Sequence, residues 1–178
     1  SKGNPKLILN IALIRLNSGD PEGALPCLKR LEFNHATWLK NRLIDMLRSP
    51  RDQQLFTAPT QLFLIEHLAL LHPKDTEVLS SCLASCVLLA SAGNVPAQNL
   101  LEKSAANLAA LVPLHPLVLR VQATIAYQAD RGEEAISLLD RALTADPQAV
   151  DLYYLRAHQK HRMGRTLGAL GDLGTLLN

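Results

Sequence analysis

Between Pro116 and Asn178 the chain repeats itself at a period of 34 residues. Leu119 returns as Tyr153, Ala123 as Ala157, Arg131 as Arg165, Ala135 as Ala169, Leu139 as Leu173 and Leu143 as Leu177. Self-similarity at this period marks a stack of supersecondary units, each too small to bury its apolar face alone. Ala123 and Ala135 lie twelve residues apart, where two antiparallel helices joined by a short turn would cross. A small side chain at each crossing point lets the backbones approach. Gly132 signals the turn in one copy and Gly164 in the next. Pro147 closes the second helix, since proline cannot continue a helix interior.

A third copy of the spacing opens the chain. Leu7, Ile8, Ile11, Ala12 and Ile14 form an apolar helical stripe. Gly19-Asp20-Pro21 then stops one helix and starts another, with Asp20 as N-cap and Pro21 as first helical residue. Ala12 to Ala24 is again twelve residues, and Gly19 to Ala24 is five, as Gly164 to Ala169 is. Pro26 should bend or weaken the second helix.

The 178 residues suit one domain or one repeat array, and 48% hydrophobic content drawn mostly from Leu and Ala points to an all-α protein. A net charge of +2 is too mild to imply a nucleic-acid partner. Cys27, Cys82 and Cys86 form no CxxC and leave one over, which favours a reducing compartment or inert buried thiols over a disulfide framework. From Val78 to Leu101 no residue is charged, but serines, Gly93, Asn94 and Pro96 interrupt the run, so no membrane insertion is expected. The opening Ser1-Lys2-Gly3-Asn4-Pro5 reads as the edge of an excerpt from a longer protein.

The middle of the chain is less regular. Thr37 to Arg48 reads as a helix, Ser49-Pro50 breaks it, and residues 53–58 form a loop or short helical turn before Pro59 opens the next helix. Asp75 or Thr76 caps a long helix through Ala92, and Val95-Pro96 begins another that extends to about Val112. The expectation is a single helical-repeat domain over 1–178, with ten helices in five pairs: 5–33, degenerate pairs 35–72 and 75–112, then 116–147 and 150–178.

The segment Arg131-Gly132-Glu133-Glu134-Ala135-Ile136, followed by Arg141-Ala142-Leu143 and Asp146-Pro147, resembles the tetratricopeptide repeat (TPR) family. The next copy keeps Tyr153, Ala157, Gly164 and Ala169 but has Leu176 where alanine is usual, and Gly132 comes two places late for the turn. The resemblance is specific over 116–178, is met again over 5–33, and is looser between. It implies antiparallel helix pairs stacked into a right-handed superhelix, an α-solenoid whose concave face binds a segment of a partner. It also implies no enzymatic activity.

On such a superhelix, side chains one and four residues after the crossing alanine turn inward. From Ala157 these are His158 and His161, with Tyr154 and Arg162 beside them. The same face takes Arg120, Thr124, Tyr127 and Gln128 around Ala123, and Lys6, Asn10, Leu13 and Asn17 around Ala12. Aromatics, amides and cations together suit an extended or helical peptide, and the basic run Arg156 to Arg162 suggests an acidic one. The bland alternative is a solvated basic helix.

Other candidates carry less. There is no HExxH, no P-loop and no G-x-S-x-G. Gly168, Gly171 and Gly174 read as close packing or a docking surface. Cys82 and Cys86 share a helical face, yet their surroundings suggest packing rather than a metal, and Glu66-His67 reads as a solvent pair or a helix–helix seam. No cofactor or metal is expected. The expected function is a protein-interaction scaffold or adaptor. The alternatives are a ligand-sensing regulatory domain of a larger transcriptional or secretion-associated protein, and an RNA-binding solenoid. Leu167, Leu170, Leu173, Leu176 and Leu177 on the last helix suggest self-association there.

Overall fold

The computed structural model describes residues 3–176, so Leu177, the last position of the expected leucine stripe, lies outside it. Among the described residues there are ten helices and no strand. The protein is all-α. It divides into two compact units, residues 1–100 and 101–178.

In the first unit α1 (Pro5–Asn17) packs along α2 (Pro21–Arg48), and α4 (Ala58–Leu71) along α5 (Thr76–Ser91). The short α3 (Pro50–Gln53) adjoins α2. The count of ten is reached differently from the expectation. The helices expected over 21–33 and 37–48 run on as one 28-residue helix, while α3 forms where a break was read. The only non-helical backbone within α2 falls at His35 (φ −146°, ψ 37°), not at Pro26. Pro26 costs α2 one hydrogen bond near its start, whereas the change of direction between two helix pairs is taken up at His35. Leu28, Leu31, Leu43, Leu64, Ile65 and Leu68 form the fully buried interior, joined by Cys82 and Cys86 from α5. Burial pushes the Cys82 thiol up to about 12, and its Sγ donates to the Ile65 carbonyl at 3.6 Å. That is a packing role.

In the second unit α7 (Pro116–Gln128) pairs with α8 (Gly132–Ala145), α8 packs on α9 (Val150–Arg162), and α9 pairs with α10 (Thr166–Thr175). Helix α6 (Val95–Ala109) ends three residues before the Val112 expected for it. All six crossing alanines are buried: Ala12, Ala24, Ala123, Ala135, Ala157 and Ala169 are at most 5% exposed. Around Ala123 and Ala135 a core of Leu119, Ala126, Leu138, Leu139, Ala142 and Leu152 closes the pair. Among the described residues no helix is long and apolar enough to cross a membrane.

One turn recurs four times. After α1, α5, α7 and α9 a residue of positive φ is followed by one whose N–H reaches back five residues. The bonds are Asp20 to Arg15, Asn94 to Leu89, Arg131 to Ala126 and Arg165 to Lys160, at 2.8–3.1 Å. This double-bonded C-terminal cap favours glycine at the left-handed position. Gly19, Gly93 and Gly164 supply it, but between α7 and α8 the residue is Asp130, with φ 58°. Gly132, read from the sequence as the turn glycine, is instead the first residue of α8. A Cβ there would come within 2.6 Å of both Gln159 Nε2 and Met163 Sδ, so its glycine serves the approach of α9.

Candidate functional site

The crossing alanines create the site. Where α7 meets α8, Ala123 and Ala135 contribute almost no side chain, and a cleft of about 300 Å³ opens over them and Leu139. Helix α9 closes the far side with Leu155 and Gln159. Thr124, Tyr127 and Gln128 reach it from α7, and Tyr154 and His158 from α9. Five of the residues selected by offset from Ala123 and Ala157 therefore share one hollow.

The rings are ordered against each other. Tyr127 and His158 lie 5.8 Å apart at 49°, a tilted aromatic pair. The Arg162 guanidinium lies 4.6 Å above the Tyr127 ring, so the cation stands at the edge of the cleft. Tyr154 is 60% exposed. Thr124 turns its hydroxyl back to the Arg120 carbonyl at 3.0 Å, which leaves its methyl for the wall.

The basic run is less free than its sequence suggests. Arg156 grips Asp172 with two hydrogen bonds (3.0 and 2.5 Å) and reaches Asp140 at 2.6 Å. Lys160 joins the same Asp172 carboxylate at 2.9 Å. Burial alone would raise the Asp172 pKa, but the hydrogen bonds from Arg156 and Lys160 outweigh it and hold the carboxyl below its ordinary 3.8. Arg165 pairs with Glu133, and Arg120 with Asp151. Beyond the Tyr127 ring, the ion-pair partner of Arg162 among the described residues is Asp130, at 3.5 Å, and that carboxylate is 94% exposed. His161 is exposed in the last turn of α9 and is not a wall of the cleft.

Lys6, Asn10 and Asn17 belong to the first unit. Lys6 and Asn10 are exposed along α1. Asn17 donates to the Leu55 carbonyl at 3.1 Å and accepts from the Thr57 N–H at 3.3 Å and the Thr60 hydroxyl at 2.8 Å. It therefore anchors the approach to α4. His67 is bonded to Glu32 at 2.6 Å and stacked on Phe63, which makes it part of the seam between α4 and α2. Among the described residues no group of three metal-ligating side chains gathers.

Gln159 was missed from the sequence. It lies two residues past Ala157, outside the offsets used, yet it is 5% exposed and walls the cleft. Its signal was indirect, a glycine at the start of α8 that the turn does not use.

No family model matches the sequence, and no curated protein matches it significantly. Solved structures do match. MamA from Desulfovibrio magneticus RS-1, from residue 41 to its end, superposes with a TM-score of 0.61 at 16% identity, over 99% of this chain and 96% of that one. A double mutant of MamA RS-1 gives 0.61 at 16% identity, over 99% and 95%. MamA AMB-1 gives 0.55 at 15% identity, over 96% and 88%. MamA is a TPR protein, and at these identities the likeness establishes the fold: this chain has a TPR-like, all-α helical-repeat fold.

Proposed function

We propose that the chain is a non-enzymatic protein-interaction module, a scaffold or adaptor, and that the cleft between α7, α8 and α9 receives a peptide segment of a partner. The observation that carries this is the cleft itself. It is apolar at its base, aromatic at its sides, and edged by a cation held only loosely by its own chain. An apolar side chain of the segment fills the hollow, and an acidic one nearby displaces Asp130 from Arg162. Exchanging one exposed carboxylate for another costs little, so the Arg162–Asp130 pair does not block an acidic ligand.

The test is selection of a random 12-residue display library (a length of about 12 suits an extended segment on such a surface) on the whole chain. Selected peptides should be enriched in acidic residues and lose about tenfold in affinity to Arg162→Glu, through lost pairing and like-charge repulsion. The exposed Arg141 on α8 is the control for net charge. Affinity unchanged by Arg162→Glu, or reduced equally by Arg141→Glu, would overturn the acidic preference. RNA loses support because the cations Arg156, Lys160 and Arg165 are already paired.

A second reading, self-association through the last helix pair, is favoured by Leu167 and Leu170, which are 86% and 59% exposed on α10. Sedimentation of the chain against Leu167→Glu decides it. A concentration-dependent mass that the substitution does not change would count against α10.

A further inference from the structure

One buried polar atom of a residue that walls the cleft is left without a partner among the described residues. Among the described residues none donates a hydrogen bond to the buried Oε1 of Gln159, although the residue walls a cleft whose other side chains are mostly apolar or aromatic. The opposite end of the same carboxamide, Nε2, lies over Gly132, where any Cβ would come within 2.6 Å of it. The first residue of α8 thus makes room for an amide whose oxygen is unsatisfied. Buried carbonyl oxygens are rarely left so, and one at a ligand-sized hollow calls for a donor from outside.

We propose that the cleft is a subsite for an indole, the side chain of a tryptophan in the partner segment, whose N–H donates to Gln159 Oε1. The inference rests on the reading that this cleft takes a peptide. Three features select the indole. The required group must donate without bringing an acceptor that would itself be orphaned, and indole N–H is donor only. It must ride on an apolar body, because Ala123, Ala135 and Leu139 at the base offer nothing to a charged head, and no carboxylate walls the cleft to compensate an ammonium or guanidinium. It must be flat, to lie against Tyr127, Tyr154 and His158. At about 300 Å³ the hollow is at the small end of ligand sites and suits one ring system. The last torsion of a glutamine side chain is soft, so the oxygen turns to an arriving donor with little resistance.

The experiment titrates the whole chain with indole and, separately, with benzofuran, which has the same shape with oxygen in place of N–H. Binding is followed through the NMR signals of Ala123, Tyr127 and Leu139. Indole should bind about tenfold more tightly than benzofuran, the worth of one satisfied buried acceptor. Gln159→Leu should abolish that preference while both rings still bind. Gly132→Ala, which pushes the carboxamide aside from α8 and favours the helix, should shrink it as well, and it serves if Gln159→Leu does not fold. Equal affinities for the two rings, a preference that survives Gln159→Leu, or no shift with either ring would each overturn the assignment. None of these touches the peptide reading, which the display selection decides separately.

Discussion

The same place in the repeat does different work in the two units. Five residues after the crossing alanine the chain has Asn17 in α1, Gln128 in α7 and Arg162 in α9. In the first unit Asn17 makes three hydrogen bonds to the segment between Leu55 and Thr60 and becomes part of the frame. In the second, Gln128 borders an open cleft and Arg162 lies over its Tyr127. One residue after the alanine, Leu13 is buried while His158 is exposed at the cleft. A repeat therefore fixes where a side chain points but not whether it is free. That depends on what the rest of the chain lays against it.

The largest effect should come from the charged seam that frames the second unit. Asp172 is 6% exposed and holds Arg156 and Lys160, themselves 16% and 19% exposed. Asp172→Ala leaves the largely buried Lys160 without its carboxylate and Arg156 with only the more exposed Asp140, and should cost about 3 kcal/mol in urea unfolding. A loss below about 1 kcal/mol would place the seam among screened surface pairs.

The comparison itself is tested by paired substitutions. Asn17→Ala should cost about 1–2 kcal/mol, since it removes the acceptor of the Thr60 hydroxyl, a residue 1% exposed, and the bonds to the Leu55 carbonyl and the Thr57 N–H. Gln128→Ala, at the same offset, should stay within about 0.5 kcal/mol. Equal costs would erase the distinction between frame and cleft.

Asp130→Gly should go the other way. The left-handed backbone at Asp130 strains any residue with a Cβ, so glycine there should stabilise the chain by about 1 kcal/mol or less. It also removes the loose partner of Arg162, so acidic peptides should bind slightly tighter. A destabilised Asp130→Gly would mean that the Arg162 pair outweighs the strain.

The smallest effect is one of pH. Asn4 and Thr57 cap α1 and α4 and do not titrate, whereas α7 is capped by His115, whose Nδ1 accepts from the Leu117 N–H at 3.2 Å. Burial holds the His115 pKa below its ordinary 6.5. Its contribution is therefore fully present above that ordinary value and is lost as pH falls through the lower, folded one. Protection against hydrogen exchange at the first amides of α7, taken relative to the intrinsic rate at each pH, should fall on that descent while that at α1 and α4 holds. His115→Ser, a cap that does not titrate, should remove the difference.

The sequence by itself determined the crossings of α1 with α2, α7 with α8 and α9 with α10. The alanines twelve apart, the Asp20 and Asp75 caps and the apolar stripes are all local signals, because each pair closes between helices adjacent in sequence. Tertiary structure decided the rest. The two helices expected around Asn34 fuse because nothing local to His35 forces a loop, and the packing of α2 against α4 and α5 selects a kink instead. Arg156 and Lys160 in the basic run, and Arg165 beyond it, are paired because Asp172, Asp140 and Glu133 approach from neighbouring helices, at distances along the chain that no period reports. The cleft was half legible. Tyr127, Tyr154 and His158 follow from the repeat, but Gln159 does not, since its burial depends on an absent Cβ at Gly132, on a different helix. Periodicity encodes which face a side chain takes. Which partner it meets there is set by long-range packing, and that exists only once the chain has folded.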